Sequence, residues 1–267
     1  GGSTTANNLL DITFHKNRIF ISFHHAMCDG RGIMQFIKTL LFYYLNLKYP
    51  HNNVQIPEVR LVGEGFKKNE LSDPVNEGNF NFDKTKAYQA DRSAFAIPEV
   101  QNGEDAGGDS WRYELTFDVD EVMRICKENN CTPAILMTIL MQKGVKRNNP
   151  NAKEQILCSM SCDWRDAIGL PNTFRNCVTS IYLPYGDKEE DMELKGIGSH
   201  YRELISKQKE TNSARCSAYT MKYMSDMLDS LGSYEKKVET VNSFISGPIK
   251  SFICSYTGKA DMGDAEK

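Results

Sequence analysis

With 267 residues, 40% hydrophobic and 25% charged, the chain is long enough to bury a core as one large domain or two smaller ones. A formal net charge of −3, with no basic block longer than a pair such as Lys67-Lys68, argues against a nucleic-acid partner. No apolar run reaches the roughly 18 residues needed to span a membrane. The eight cysteines lack the spacing of a small disulfide scaffold, which points to reduced thiols in a cytoplasmic protein. The pair Cys158 and Cys162 is followed by no second ligand pair, so no metal site is expected there.

Taken in chain order, LLDITFHKNRIFISFHH (9–25) predicts two strands joined by a tight turn at HKNR. In the second strand Ile19, Ile21, Phe23 and His25 alternate onto one face and Phe20, Ser22 and His24 onto the other. The two histidines therefore diverge, with His25 on the more apolar side. Residues 33–47 predict a buried helix, with Ile33, Phe36, Ile37, Leu40, Leu41, Tyr44 and Leu45 forming a broad apolar stripe. Residues 50–110, punctuated by Pro50, Pro57, Pro74 and Pro98, predict an irregular crossover, with QNGEDAGGDS (101–110) as a flexible loop.

A second alternation of elements begins at WRYELTFD (111–118), which predicts a strand. Asp118 or Asp120 can cap a helix over VDEVMRICKENN, and Thr132 with Pro133 opens another over residues 133–147. That second helix is apolar almost all round through Met141, which predicts a central position. EQILCSMSCDW and NCVTSIYLPY predict strands, followed by helices over roughly 192–209 and 217–231 and a strand around KSFICSYTG. Met221, Met224 and Met227, at helical spacing, suit either a greasy substrate channel or core packing.

The heptad HHAMCDG (24–30) carries the most chemistry. A histidine at a strand end titrates near neutrality and can serve as a general base. Asp29 can orient that base, or pair with an arginine and fix the loop, while Gly30 permits a sharp turn into the helix. The structural alternative is two strand-end histidines and a helix-capping aspartate. Divergent His24 and His25 cannot share a metal ion, and nothing in the spacing gives Cys28 a partner as a nucleophile.

The heptad resembles the HHxxxDG signature of the chloramphenicol acetyltransferase-like superfamily of CoA-dependent acyltransferases. More than two hundred residues follow it, an order similar to the two-lobed members, including alcohol acetyltransferases and nonribosomal peptide condensation domains. CDWRDAIGLPNTFRNCVTSIYLPY (162–185) is similar to an arginine-containing strand, loop and following strand of their second lobes, and NNCTPAILMTILMQ resembles the helix before it.

The resemblance implies an α/β fold of mixed β-sheets with packed helices in two lobes. Residues 1–49 would be the end of the first lobe, 50–110 the crossover and 111–267 the second lobe. Two strands and one helix are too little to bury the first lobe's own face, and the resemblance implies more chain before the heptad and further strands after a segment like SYTGKADMG, so both lobes are expected to be incomplete, the second at its end. The implied activity moves an acyl group from acyl-CoA, a co-substrate and not a bound cofactor, to a small alcohol or amine acceptor. His25 would be the base, His24 structural, Asp29 the ion-pair partner of Arg165, and Asn176 a residue of the substrate tunnel. A monomer is expected for the intact protein. Carrier-protein thioesters in place of CoA, or a non-catalytic binding module of the same fold, are the alternatives.

Overall fold

The computed structural model describes residues 8–98, 113–245 and 250–266. The architecture is mixed α/β, with two small sheets and helices packed about the larger one. Strands β1 (Leu10–His15) and β2 (Arg18–Phe23) form the predicted antiparallel hairpin, in register from Leu10 opposite Phe23 to His15 opposite Arg18. Its turn is two residues long, and Lys16 takes a φ of 54°, the left-handed geometry that matches a tight turn to the strand twist.

Helix α1 (Gly30–Lys48) begins where Asp29 accepts the backbone N–H of Gly32. It is less buried than its stripe predicts. Ile33 is buried, but Phe36 and Tyr44 are exposed, because a two-stranded hairpin offers no face broad enough to cover a five-turn helix. The crossover supplies its neighbours: Asn46 donates to the Val54 carbonyl, Arg60 N–H to Thr39 Oγ1 and Val62 N–H to Tyr43 Oη. The buried ammonium of Lys38 pairs with Glu58 at 2.8 Å.

The crossover holds α2 (Pro74–Glu77) and a short 3₁₀ turn at Lys84–Lys86. It is fitted to the second half of the chain and does not run as a free linker. Asn79 N–H donates to the Ile168 carbonyl, Phe95 N–H to Gln155 and Tyr88 N–H to Ser213 Oγ. The predicted loop at 101–110 lies outside the described residues.

The strand predicted at 111–118 is not formed over its described part. Tyr113, Leu115 and Phe117 alternate as predicted but are all exposed, and residues 113–118 join no sheet. Alternation marks a potential strand; a ladder partner makes one.

Helices α3 (Val119–Glu128) and α4 (Pro133–Asn148) are capped by Asp118 and Thr132. They lead to strands β3 (Ile156–Asp163) and β4 (Val178–Tyr185), then α5 (Asp187–Glu190), α6 (Leu194–Lys209), α7 (Thr211–Asp229), α8 (Tyr234–Ile245) and β5 (Phe252–Cys254). The sheet runs β4-β3-β5, antiparallel in the first pair and parallel in the second.

The core joins Ile135 and Ile139 of α4 to Cys158, Met160, Ile181 and Leu183 of the sheet and to Ile197 and Tyr201 of α6. Helix α4 is central on that side only. Leu140 and Met141 are half exposed, while Gln142 is buried and donates to the Ile156 and Leu183 carbonyls and accepts from Tyr201. That bonding satisfies a polar side chain which would otherwise cost about 1–3 kcal/mol there. No helix among the described residues is long and apolar enough to cross a membrane.

Candidate active site

The sequence places the heptad and the CDWRD segment more than 130 residues apart; the fold brings them into contact. Arg165 Nη2 donates to Asp29 Oδ1 at 2.8 Å, and both side chains are 1% exposed. The same guanidinium donates to Asp163 Oδ1 at 2.9 Å and to the Thr173 and Arg175 carbonyls at 2.7 and 2.6 Å, so the 166–177 loop wraps around it. Burial alone would lower the Arg165 pKa, but the Asp29 bond and the charges of Asp163 and Asp29 hold it above its ordinary value.

Asp29 is equally engaged. Its Oδ1 also accepts the Gly32 N–H that starts α1, and its Oδ2 accepts the Cys177 N–H at 2.9 Å. One carboxylate thus caps a helix, neutralises a buried cation and pins the base of β4. A second bridge, Arg31 to Asp163 at 2.7 Å, runs alongside at the surface.

The glycine that this junction requires is Gly32, which the motif did not single out. A Cβ on Gly32 would stand 1.9 Å from the Phe174 carbonyl oxygen, whereas one on Gly30 would meet nothing within 4 Å. Gly30 is the first residue of α1 and has no positive φ, so the sharp turn assigned to it is made by Asp29 and the close approach by Gly32.

Strand β2 ends at Phe23, and both histidines follow it in the turn. His24 Nδ1 accepts the Ala26 N–H at 3.2 Å, and its backbone bonds Leu9 and Met27, which closes the turn. His25 is exposed, not buried on an apolar strand face, because the chain has already left the ladder. Its Nδ1 lies 3.2 Å from Asn176 Nδ2.

Asn176 Oδ1 accepts the Val178 N–H at 3.1 Å, which orients the amide. Its NH₂ therefore faces His25, and an NH₂ can only donate. His25 Nδ1 is the acceptor and the neutral ring carries its proton on Nε2. Nε2 has no protein partner among the described residues.

His25, Asp29 and Arg31 line a cleft of about 650 Å³ between the heptad turn, the start of α1, the Ser161–Asp163 end of β3 and residues 255–261. Its rim includes Lys67 and Lys259, and its wall the half-buried Ser161, whose hydroxyl has no partner among the described residues. Sequence reasoning did not single out Ser161; its period-two spacing from Asp163 was the available signal. Thr173 is less available, since its hydroxyl donates to the Ser72 carbonyl. Asn176 does not line the cleft; it reaches it only through His25.

The cysteines offer no activated nucleophile here. Burial, then the Asp29 charge, raises the Cys28 thiol, and burial pushes Cys177 up to about 12. Among the described residues no group of three metal-binding side chains converges. Met221, Met224 and Met227 are half-buried on α7 and none lines this cleft.

Fold and site together define a mixed α/β protein with an imidazole at the mouth of a cleft, held over a buried aspartate–arginine junction. Comparison with models of known protein families and with curated protein sequences returns no match.

Proposed function

We propose that the chain is the catalytic part of a two-lobed acyltransferase similar to the chloramphenicol acetyltransferase-like enzymes, moving an acyl group from acyl-CoA to a hydroxyl or amine acceptor. The observation that carries this reading is the buried Asp29–Arg165 pair, which ties the HHxxxDG turn to the β3–β4 connection and so sets His25 at the cleft. The resemblance implied that pairing from sequence alone.

In the proposed reaction His25 Nε2 takes the acceptor proton as the acceptor oxygen or nitrogen attacks the thioester carbonyl. Collapse of the tetrahedral adduct breaks the C–S bond, and the proton passes from the imidazolium to the departing thiolate. Ser161, whose hydroxyl has no partner among the described residues, lines the cleft and can offer the oxyanion a hydrogen bond, and Lys67 and Lys259 suit the phosphates of a CoA donor. Base catalysis at Nε2 requires the proton on Nδ1, so Asn176 must turn its amide and present Oδ1 to the ring, releasing the Val178 N–H.

One observation favours a second reading: the exposure of His25, which suits a non-catalytic module of the same fold that binds a partner at the cleft. A single assay separates the two. Release of free CoA thiol from acetyl-CoA is followed with a panel of alcohols and amines, for this chain and for His25→Ala. The enzyme reading expects acceptor-dependent release that falls by at least about a hundredfold in the variant, the usual contribution of a general base. Release that survives the substitution, or none from the parent chain, sinks it.

A further inference from the structure

A second cleft, of about 590 Å³, opens between the crossover, β4 and α7 and shares no lining residue with the His25 cleft. Six aromatic side chains wall it: Phe82, Tyr88, Trp164, Tyr182, Tyr219 and Tyr223. Trp164 is 2% exposed and forms its floor, while the tyrosines of α7 are open to solvent at the mouth. The volume falls within the range that encloses small organic ligands.

These walls are fixed by hydrogen bonds and not by apolar packing alone. Gln208 bonds both the N–H and the carbonyl of Tyr182, at 2.9 Å each. Trp164 Nε1 donates to Thr179 Oγ1, whose hydroxyl also meets Ser217 Oγ at 3.0 Å, and Ser213 Oγ accepts the Tyr88 N–H. The Trp164 indole is thereby fixed and the backbones that carry Tyr182 and Tyr88 are anchored, so the floor of the cleft needs no reordering when a flat ligand stacks on it.

The charge of the cleft is one-sided. Among the described residues, Lys84 and Arg92 are the charged residues lining it, no carboxylate lines it, and neither cation has an ion pair. The Arg92 guanidinium lies 4.8 Å from the Tyr182 ring centroid. Stacking occupies the face of a guanidinium and leaves its in-plane N–H groups free, and that edge matches a carboxylate with two parallel hydrogen bonds.

We propose that this cleft binds a planar aromatic carboxylate, its ring between the tyrosines over Trp164 and its carboxylate on the edge of Arg92 with Lys84 alongside. The site is independent of the acyl-transfer reading and survives if that reading fails.

The test is calorimetric titration of the full chain with 2-naphthoate, with 2-naphthamide as the neutral isostere and cyclohexanecarboxylate as the non-planar anion. One saturable naphthoate site with submillimolar Kd is expected, with both comparison compounds at least tenfold weaker. Arg92→Gln is expected to weaken naphthoate about tenfold and to leave naphthamide within twofold. Arg92 is exposed, so the variant keeps the fold, and Tyr219→Leu provides an independent probe that should weaken both aromatic ligands. The proposal is overturned by absence of saturable naphthoate binding in the millimolar range, by equal affinity for naphthamide or cyclohexanecarboxylate, or by an Arg92→Gln variant that binds naphthoate unchanged.

Discussion

Replacing Asp29 with alanine removes three things at once. The helix α1 loses its cap, worth about 1 kcal/mol. The buried Cys177 N–H loses its acceptor, at about 1–3 kcal/mol. Arg165 loses one of two carboxylates while 1% exposed, and breaking a buried pair from one side costs about 3–5 kcal/mol. These terms overlap, and Asp163 still faces the guanidinium, so a net destabilisation of about 4 kcal/mol is expected. Asp29→Asn should cost less, about 2 kcal/mol, since asparagine caps helices as well as aspartate does. Its oxygen must stay at the Oδ1 position to serve both Gly32 and Arg165, however, and its NH₂ then faces the Cys177 N–H, donor against donor. Urea unfolding followed by far-ultraviolet circular dichroism measures both; at an m of roughly 3 kcal/mol/M the alanine midpoint falls by more than about 1 M. An alanine variant within about 1 kcal/mol of the parent would refute the view that this pair holds the junction together.

Gly32→Ala should unfold at markedly lower temperature than Gly30→Ala, because only the former drives a methyl into the Phe174 backbone; equal melting temperatures would contradict that contact. Burial opposes ionisation of Asp163, but the Arg165 backbone N–H and the Arg31 and Arg165 side chains outweigh it and hold its pKa below the ordinary value. Its stabilising contribution is therefore complete above about pH 4 and lost as pH falls through the lower folded value, so Asp163→Asn should flatten the acid limb of a stability–pH curve; an unchanged limb would count against it. Asn176→Asp should move the neutral His25 proton from Nε2 to Nδ1, which ring ¹⁵N chemical shifts report without any activity measurement; unchanged shifts would mean that Asn176 does not set the tautomer.

Much of the second half of the chain was legible because its signals are local. Asp118 and Thr132 cap their helices by side-chain chemistry that sequence displays directly, and the β3 and β4 segments are apolar runs of strand length. The failures are those where a neighbour decides. Tyr113–Phe117 has a strand's alternation and no ladder, and the α1 stripe has a buried helix's pattern without a sheet wide enough to bury it. Within the site, Asp29 and Arg165 were paired through the resemblance, since no spacing rule links residues that far apart. The contact of Gly32 with Phe174 and the direction of the Asn176 amide depend on backbone placement in three dimensions, which residue types do not encode one by one.

The arrangement also separates what holds the site from what is open in it. Arg165 and Asp29 are each 1% exposed, whereas His25 is open to solvent and makes one side-chain hydrogen bond. A surface histidine with one such contact contributes about 1 kcal/mol or less, so His25→Ala should leave the fold intact. The buried pair has the opposite profile: it costs desolvation that a pair of well-packed apolar side chains would avoid. What it returns is geometry. It fixes the start of α1 against the base of β4, and with them the placement of His25 against Asn176 at the cleft. An apolar replacement of both partners, Asp29→Leu with Arg165→Met, relieves the unpaired buried charge left by either single change but leaves the Cys177 N–H and the Thr173 and Arg175 carbonyls without that partner, so it should restore part of the lost stability without restoring the register of the imidazole. Stability recovered without recovery of the His25–Asn176 contact would establish that the ion pair specifies position and not merely cohesion.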